Sequence, residues 1–291
     1  MTTPAYGCAL LAAFSLAVTP LSRAELTPVS DNALGQVTGQ GFMNIENIAG
    51  QNHEFTRMTL TMDVETRLNI DNVELGQLNG GSDFSATHVA LGHIARADGE
   101  TFNGQTYSAG DAIPFEAHKP YIELANDATG LAGFRMGFAQ ARGSMSSNTS
   151  SFSGNIGLKL KDSTGAVQDA VLYDASSNAT NYRATHIGVA GADCTTGTGC
   201  APLNRLQSIT VGEDNGSTDG TIGFTDGFFV GFQRDDSVTW QTLDGANSIA
   251  VGKGVYINLP TNMTVDMSQL TGPNGVERLR THQVDMGTKL F

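Results

Sequence analysis

The residues of this chain that could do chemistry are few and poorly spaced for catalysis. Its six histidines are His53, His88, His93, His118, His186 and His282. Only His88 and His93 are close. Their spacing sends them to opposite faces of a strand, which is poor geometry for a metal pair. His53-Glu54 is followed by Phe-Thr-Arg, so the H-E-x-x-H zinc signature is missing. The G-x-S-x-G of serine hydrolases is missing too, as are both glycine-rich phosphate cradles, G-x-x-x-x-G-K-[ST] and G-x-G-x-x-G. Acids gather at Glu213-Asp214-Asn215-Gly216-Ser217-Thr218-Asp219-Gly220. Asp214, Asn215 and Asp219 are the candidate ligands if this loop holds Ca²⁺, with Asp226, Asp235 and Asp236 as possible additions in three dimensions. The order is not that of an EF-hand, and an Asp/Asn/Gly turn between Val211 and Ile222 explains the same residues without an ion. With 29 acidic residues, no pair stands out as the two carboxylates of a glycosidase. The reading is of a non-enzyme with no cofactor, Ca²⁺ being the one alternative.

Composition narrows the class. The chain has 291 residues, a formal net charge of −13, 15% charged residues and 35 glycines. So acidic and Lys-poor a chain lacks the basic footprint of a nucleic-acid binder. It also lacks the Ala/Glu/Lys/Leu bias of a helical bundle, while 40% apolar residues suffice for a core.

Residues 1–24 read as a secretory signal peptide. The apolar run Cys8–Val18 is broken by Pro20, and Ser22-Arg23-Ala24 offers small residues for cleavage. The alternative is a buried N-terminal helix. The run is too short to cross a bilayer and no later segment is long enough, so no transmembrane helix is expected. Removal of the leader takes Cys8 with it. The remaining Cys194 and Cys200, in DCTTGTGC, then read as a disulfide around a small flexible loop, since an even cysteine count in an exported protein favours pairing over a metal site.

Residues 25–40 come next. Ser30 can cap a two-turn helix, with Leu34 and Val37 on one face and Gly39 as its stop. So short a helix needs a partner surface, which makes Leu26, Ser30, Leu34 and Val37 candidate docking residues. From Phe42 onward the helical period is lost. Phe55–Val64 alternates apolar and polar, and shorter runs of the same kind recur to Met267, punctuated by Gly, Asn, Asp and Ser. Loops are expected at Gly80–Ser82, Ser144–Ser153, Ser176–Asn181, Gly191–Ala201 and Asp214–Gly220. The expected fold of 41–291 is all-β: a single elongated β-sandwich or β-solenoid-like domain with irregular loops.

Two internal echoes accompany these strands. Asn44-Ile-Glu-Asn-Ile48 matches Asn69-Ile-Asp-Asn-Val73. Gly133-Phe134-x-x-Gly137-Phe138 matches Gly227-Phe228-x-x-Gly231-Phe232. The second pair fits two equivalent strands, Phe pointing one way and Gly allowing close approach.

The segment Glu25-Leu26-Thr-Pro-Val-Ser-Asp31-Asn-Ala-Leu34-Gly-Gln-Val37-Thr38-Gly39-Gln40 resembles the mature start of FilA-like exported proteins of Gram-negative bacteria, which are associated with pilus assembly. Their pattern is roughly E-L-x-x-L-x-D-x-x-L-x-x-V-T-G-Q; Val29 departs from it, and Gly35 weakens the helix. The stretches 133–146 and 254–270 resemble strand segments of the same family. The resemblance implies a periplasmic or cell-surface protein tied to filaments, with no catalytic residues. Partners would be copies of itself or other pilus and surface proteins, and strand addition would be the means of assembly. Two other classes stay open. One is an outer-membrane β-barrel, prompted by the terminal Phe291 and opposed by Lys289 and the scarcity of aromatics. The other is a secreted carbohydrate-active enzyme or binding module with Tyr121, Tyr256 and Trp240 as stacking faces.

Overall fold

Alternation makes strand here because one face of each ribbon is covered. Along Phe115–Asp127, the side chains of Phe115, Ala117, Tyr121, Glu123 and Ala125 are buried, and the residues between them are more open. The computed structural model describes residues 42–50, 52–77, 79–217 and 221–282. Residues 1–24 and the segment 25–40, with Leu26, Ser30, Leu34 and Val37, lie outside these residues. Residues 41–291 form one compact unit.

Among the described residues, nearly all of the regular secondary structure is strand. In order the strands are Met43–Ala49 (β1), Glu54–Leu60 (β2), Asp63–Thr66 (β3), Leu68–Leu75 (β4), Phe84–Leu91 (β5), His93–Ile94 (β6), Glu100–Phe102 (β7), Gln105–Tyr107 (β8), Ala112–Ile113 (β9), Phe115–Asp127 (β10), Gly130–Ser151 (β11), Gly154–Ile156 (β12), Lys159–Lys161 (β13), Val167–Asp169 (β14), Val171–Tyr173 (β15), His186–Asp193 (β16), Thr198–Pro202 (β17), Ser208–Val211 (β18), Phe229–Gln233 (β19), Thr239–Gln241 (β20), Ser248–Ala250 (β21), Gly254–Leu259 (β22) and Thr264–Asp266 (β23). One helical turn, Met267–Leu270 (α1), follows.

The main sheet runs β1-β2-β10-β11-β19-β22-β12, with β3 beside β10. A second layer runs β4-β5-β11-β18. The 22-residue β11 belongs to both. Up to Arg142 it pairs with β10, and from Gly143 it pairs with β18 and β5. Gly143 makes the changeover at φ +141°, where a Cβ would lie 2.8 Å from the Phe115 ring. Between the layers lies the larger core, which includes Phe84, Phe115, Phe152, Leu160, Ile187, Val211 and Ile257. The small sheets β14-β13-β23 and β15-β16-β17 contribute Leu160, Val265, Leu172 and Ile187 to it. A smaller core, built on Phe55, Phe229, Trp240 and Tyr256, fills the other face of the main sheet under the β20–β21 hairpin.

The all-β expectation holds, and the described strands do not close into a barrel. The only named strand pairs that run parallel are β12–β22 and β13–β23, unlike the stacked parallel coils of a β-helix. The two Gly-Phe echoes become direct neighbours. On β11 and β19, Phe134 pairs with Phe232 and Gly137 with Phe229, and the Phe134 and Phe232 rings stack at 4.7 Å. A Cβ on Gly137 would come within 2.5 Å of the Phe228 carbonyl oxygen and 2.9 Å of the Tyr121 hydroxyl, so the glycine is what allows this close approach.

Two expected loops are strand instead. Most of Ser144–Ser153 forms the end of β11, where several hydroxyls find partners: Ser147 with Thr149 at 2.9 Å, Ser150 with Ser85 at 3.0 Å, and Ser151 with the Ser82 carbonyl at 2.7 Å. Gly191–Ala201 is largely the tip of the β16–β17 hairpin.

Candidate functional site

Cys194 and Cys200 are joined, their Cα atoms 5.1 Å apart, across the tip of the β16–β17 hairpin. In the acid-rich loop, Asp214 and Asn215 are exposed and accept hydrogen bonds from the backbone N–H groups of Gly216 and Ser217, both at 2.9 Å. Asp219 lies outside the described residues. Among the described residues, no three His, Cys, Asp or Glu side chains converge as metal ligands. Tyr121, Tyr256 and Trp240 are all buried, which corrects their reading as stacking faces for a sugar.

Most other acids that stand out are turn-closers. Asp127, Asp162, Asp193 and Asp235 each bond the backbone N–H and the hydroxyl of the Thr or Ser two residues on. These bonds favour the ionised carboxylate. Thr195 and Thr196 hold Asp193 down to about 2, and the same arrangement lowers Asp127, Asp162 and Asp235.

Two polar clusters lie largely inside the fold. Arg57 Nε donates to Glu123 Oε2 at 2.5 Å, and Arg135 Nη2 donates to Glu123 Oε1 at 3.1 Å and to the Gln241 carbonyl at 2.6 Å. All three charged side chains are buried, with the Arg135 guanidinium 5.0 Å from the Trp240 ring and 5.1 Å from that of Phe229. Burial pushes the neighbouring Tyr121 hydroxyl up to about 12, with Glu123 adding to the rise and Arg135 opposing it. In the second cluster, His93 Nδ1 lies 2.7 Å from Ser144 Oγ, and its Nε2 lies 3.3 Å from Glu100 Oε1. These are the residue types of a hydrolytic triad. Ser144, however, is 0% exposed and His93 2%, so no substrate carbonyl approaches the hydroxyl. The Phe102 ring packs edge-on against His93 at 5.0 Å. Burial lowers the His93 pKa, although Glu100 pulls the other way. The cluster ties β6 and β7 to the second layer.

What remains open to a partner is an edge. Among the described residues, β1 has one partner strand, β2. The Phe42 carbonyl accepts from Thr61 N–H at 2.8 Å, and at the other end Gly50 N–H donates to the His53 carbonyl at 2.9 Å. Alternation between these two pairs turns the N–H and C=O groups of Met43, Ile45, Asn47 and Ala49 toward the open side. β1 carries a single charge, Glu46, and no Lys or Pro to guard that side.

Its side chains continue an apolar sheet face. The register places Ile45, Met58, Ile122, Met136, Val230 and Ile257 in one cross-strand row. The row is covered at one end, where Ile257 is 5% exposed, and open at the other, where Met136, Ile122 and Ile45 are 44%, 43% and 56% exposed. Met43, also exposed, lies beside Ile45 on this face and pairs with Leu60. Such a contiguous exposed apolar patch is uncommon on a solvated surface. Of the two pentapeptide echoes, Asn44–Ile48 falls on β1 and Asn69–Val73 on β4, whose Leu68 and Ile70 are likewise exposed. That echo was the sequence's one signal of these edges. No family model, no curated protein and no solved structure matches the chain.

Proposed function

We propose that this protein is an exported structural protein of the cell surface, a pilus- or fibre-associated subunit or assembly factor that works by strand pairing with its neighbours. The observation that carries this reading is β1, a sheet edge with outward backbone groups and exposed Met43 and Ile45. In a free enzyme such an edge is a hazard; in an assembling subunit it is the working part. The Cys194–Cys200 disulfide suits an oxidising compartment, and among the described residues no helix is long and apolar enough to cross a membrane. The leader-like 1–24 and the segment 25–40, with its resemblance to FilA-like proteins, support export and docking to a filament or its assembly machinery.

Electron microscopy of the concentrated protein tests the reading, together with surface display of a chain lacking residues 25–40. The expected results are self-association of the intact chain and loss of surface assembly without 25–40. A chain that stays monomeric at high concentration would overturn it.

A further inference from the structure

We infer that the partner of β1 is β1 of a second copy, the two strands running antiparallel about a two-fold axis at Ile45 so that the main sheets become continuous. This inference rests on the structural reading above and names the partner of that same edge.

Backbone direction comes first. Met43, Ile45 and Asn47 turn their N–H and C=O groups outward, so a hydrogen-bonded neighbour must also offer outward groups at the paired positions. β1 meets that condition against itself. β4, which carries the echo, does not. Gly92 N–H donates to the Ser144 carbonyl at 2.9 Å, which fixes the alternation of β5 toward β11. Leu91 and Val89 then bond toward β4, and the pairs Leu68–Leu91 and Ile70–Val89 turn the backbone groups of Leu68 and Ile70 inward. On β4 the outward groups belong to Asn69 and Asp71, so pairing Ile45 through its hydrogen bonds would set it beside an amide or a carboxylate.

Side chains and charge then choose the register. Centred on Ile45, the pairing puts Ile45 opposite itself, Phe42 opposite Ile48 and Asn44 opposite Glu46 of the other copy. The Asn44 amide can donate to that carboxylate. Centred on Glu46, it would set two carboxylates face to face in a close pair, which is destabilising. Centred on Asn44, it would set Phe42 against Glu46. A two-fold contact also places the exposed ends of the two apolar rows side by side, Ile45 against Ile45, with Ile122 and Met136 behind each. Each chain carries a formal charge of −13, so the copies repel at long range and added salt strengthens the contact.

Cysteine cross-linking and sedimentation of the full chain test this. The native Cys194–Cys200 pair is closed and does not interfere, and Cys8 is replaced by serine in every chain used. Under mild oxidation, a mixture of the Asn44→Cys and Glu46→Cys variants should yield a cross-linked dimer, and neither variant alone should. Ile45→Lys, at an exposed position, should keep the wild-type melting temperature and weaken self-association at least tenfold. Self-cross-linking of either variant alone, or an Ile45→Lys chain that associates like wild type, would overturn the register or the edge. If wild type assembles and Ile45→Lys assembles equally, the β1 contact fails while the structural role stands. If wild type stays monomeric and forms no filaments, both fail.

Discussion

Glu123 lies between two guanidiniums in a space closed by Trp240 and Phe229, and its contribution depends on keeping both partners. Removing one member of a buried ionic group strands the others. Glu123→Gln should therefore cost about 3–5 kcal/mol, read as a lower urea midpoint at unchanged slope. His93 sets the acid side of the stability profile. It is held neutral below its ordinary 6.5 by burial, so the unfolded chain takes up a proton that the folded chain refuses. Stability should fall as pH drops below that value, and the drop between pH 7.5 and 5 should shrink in His93→Gln, measured by thermal melting. Asp193 acts lower on the scale. Its pKa is depressed to about 2, so its contribution is present above the ordinary 3.8 and is lost as pH falls toward 2. On the alkaline side Tyr121 keeps its proton to about 12, and stability should decline as pH rises beyond the ordinary 10. None of these clusters was legible in the sequence. Arg57, Glu123 and Arg135 come from three strands, and only the register of β2, β10 and β11 brings them together.

At the level of elements, the β16–β17 hairpin carries the testable bond. Its disulfide closes a short loop, so replacing Cys194 and Cys200 together by serine should cost about 2 kcal/mol by loop-closure entropy, measured by chemical denaturation against the oxidised wild type. Strands with apolar-polar alternation, such as those at Phe55 and Tyr121, were readable because burying one face leaves a period of two. The Phe134 and Phe228 echoes were readable as equivalent strands, and the structure adds that they pair with each other. The end of β11 was unreadable for a physical reason. Ser144, Ser146, Ser147 and Thr149 are polar by type and buried in fact: the Ser144 hydroxyl meets His93, those of Ser147 and Thr149 meet each other, and the Ser146 hydroxyl has no hydrogen-bond partner among the described residues. Gly143→Ala tests the turn of β11 between layers. With φ at +141° and the Phe115 ring within 2.8 Å of the new Cβ, the variant should lose about 1–3 kcal/mol, read as a lower melting temperature.

On the scale of the described residues, the two cores bury the interior of the main sheet, one end of its apolar face is exposed, and β1 pairs with no strand but β2. The sequence announced an acidic, glycine-rich β protein with poorly guarded strands, but not which strand would be the edge, because β1 differs little in composition from strands that are covered. Amide hydrogen exchange on dilute and concentrated protein tests the central claim most directly. The account expects Met43, Ile45 and Asn47 to exchange freely when dilute and to become protected on concentration, with Asn44 and Glu46 protected in both. Protection that never changes at β1, or that appears instead on a different strand, would contradict it.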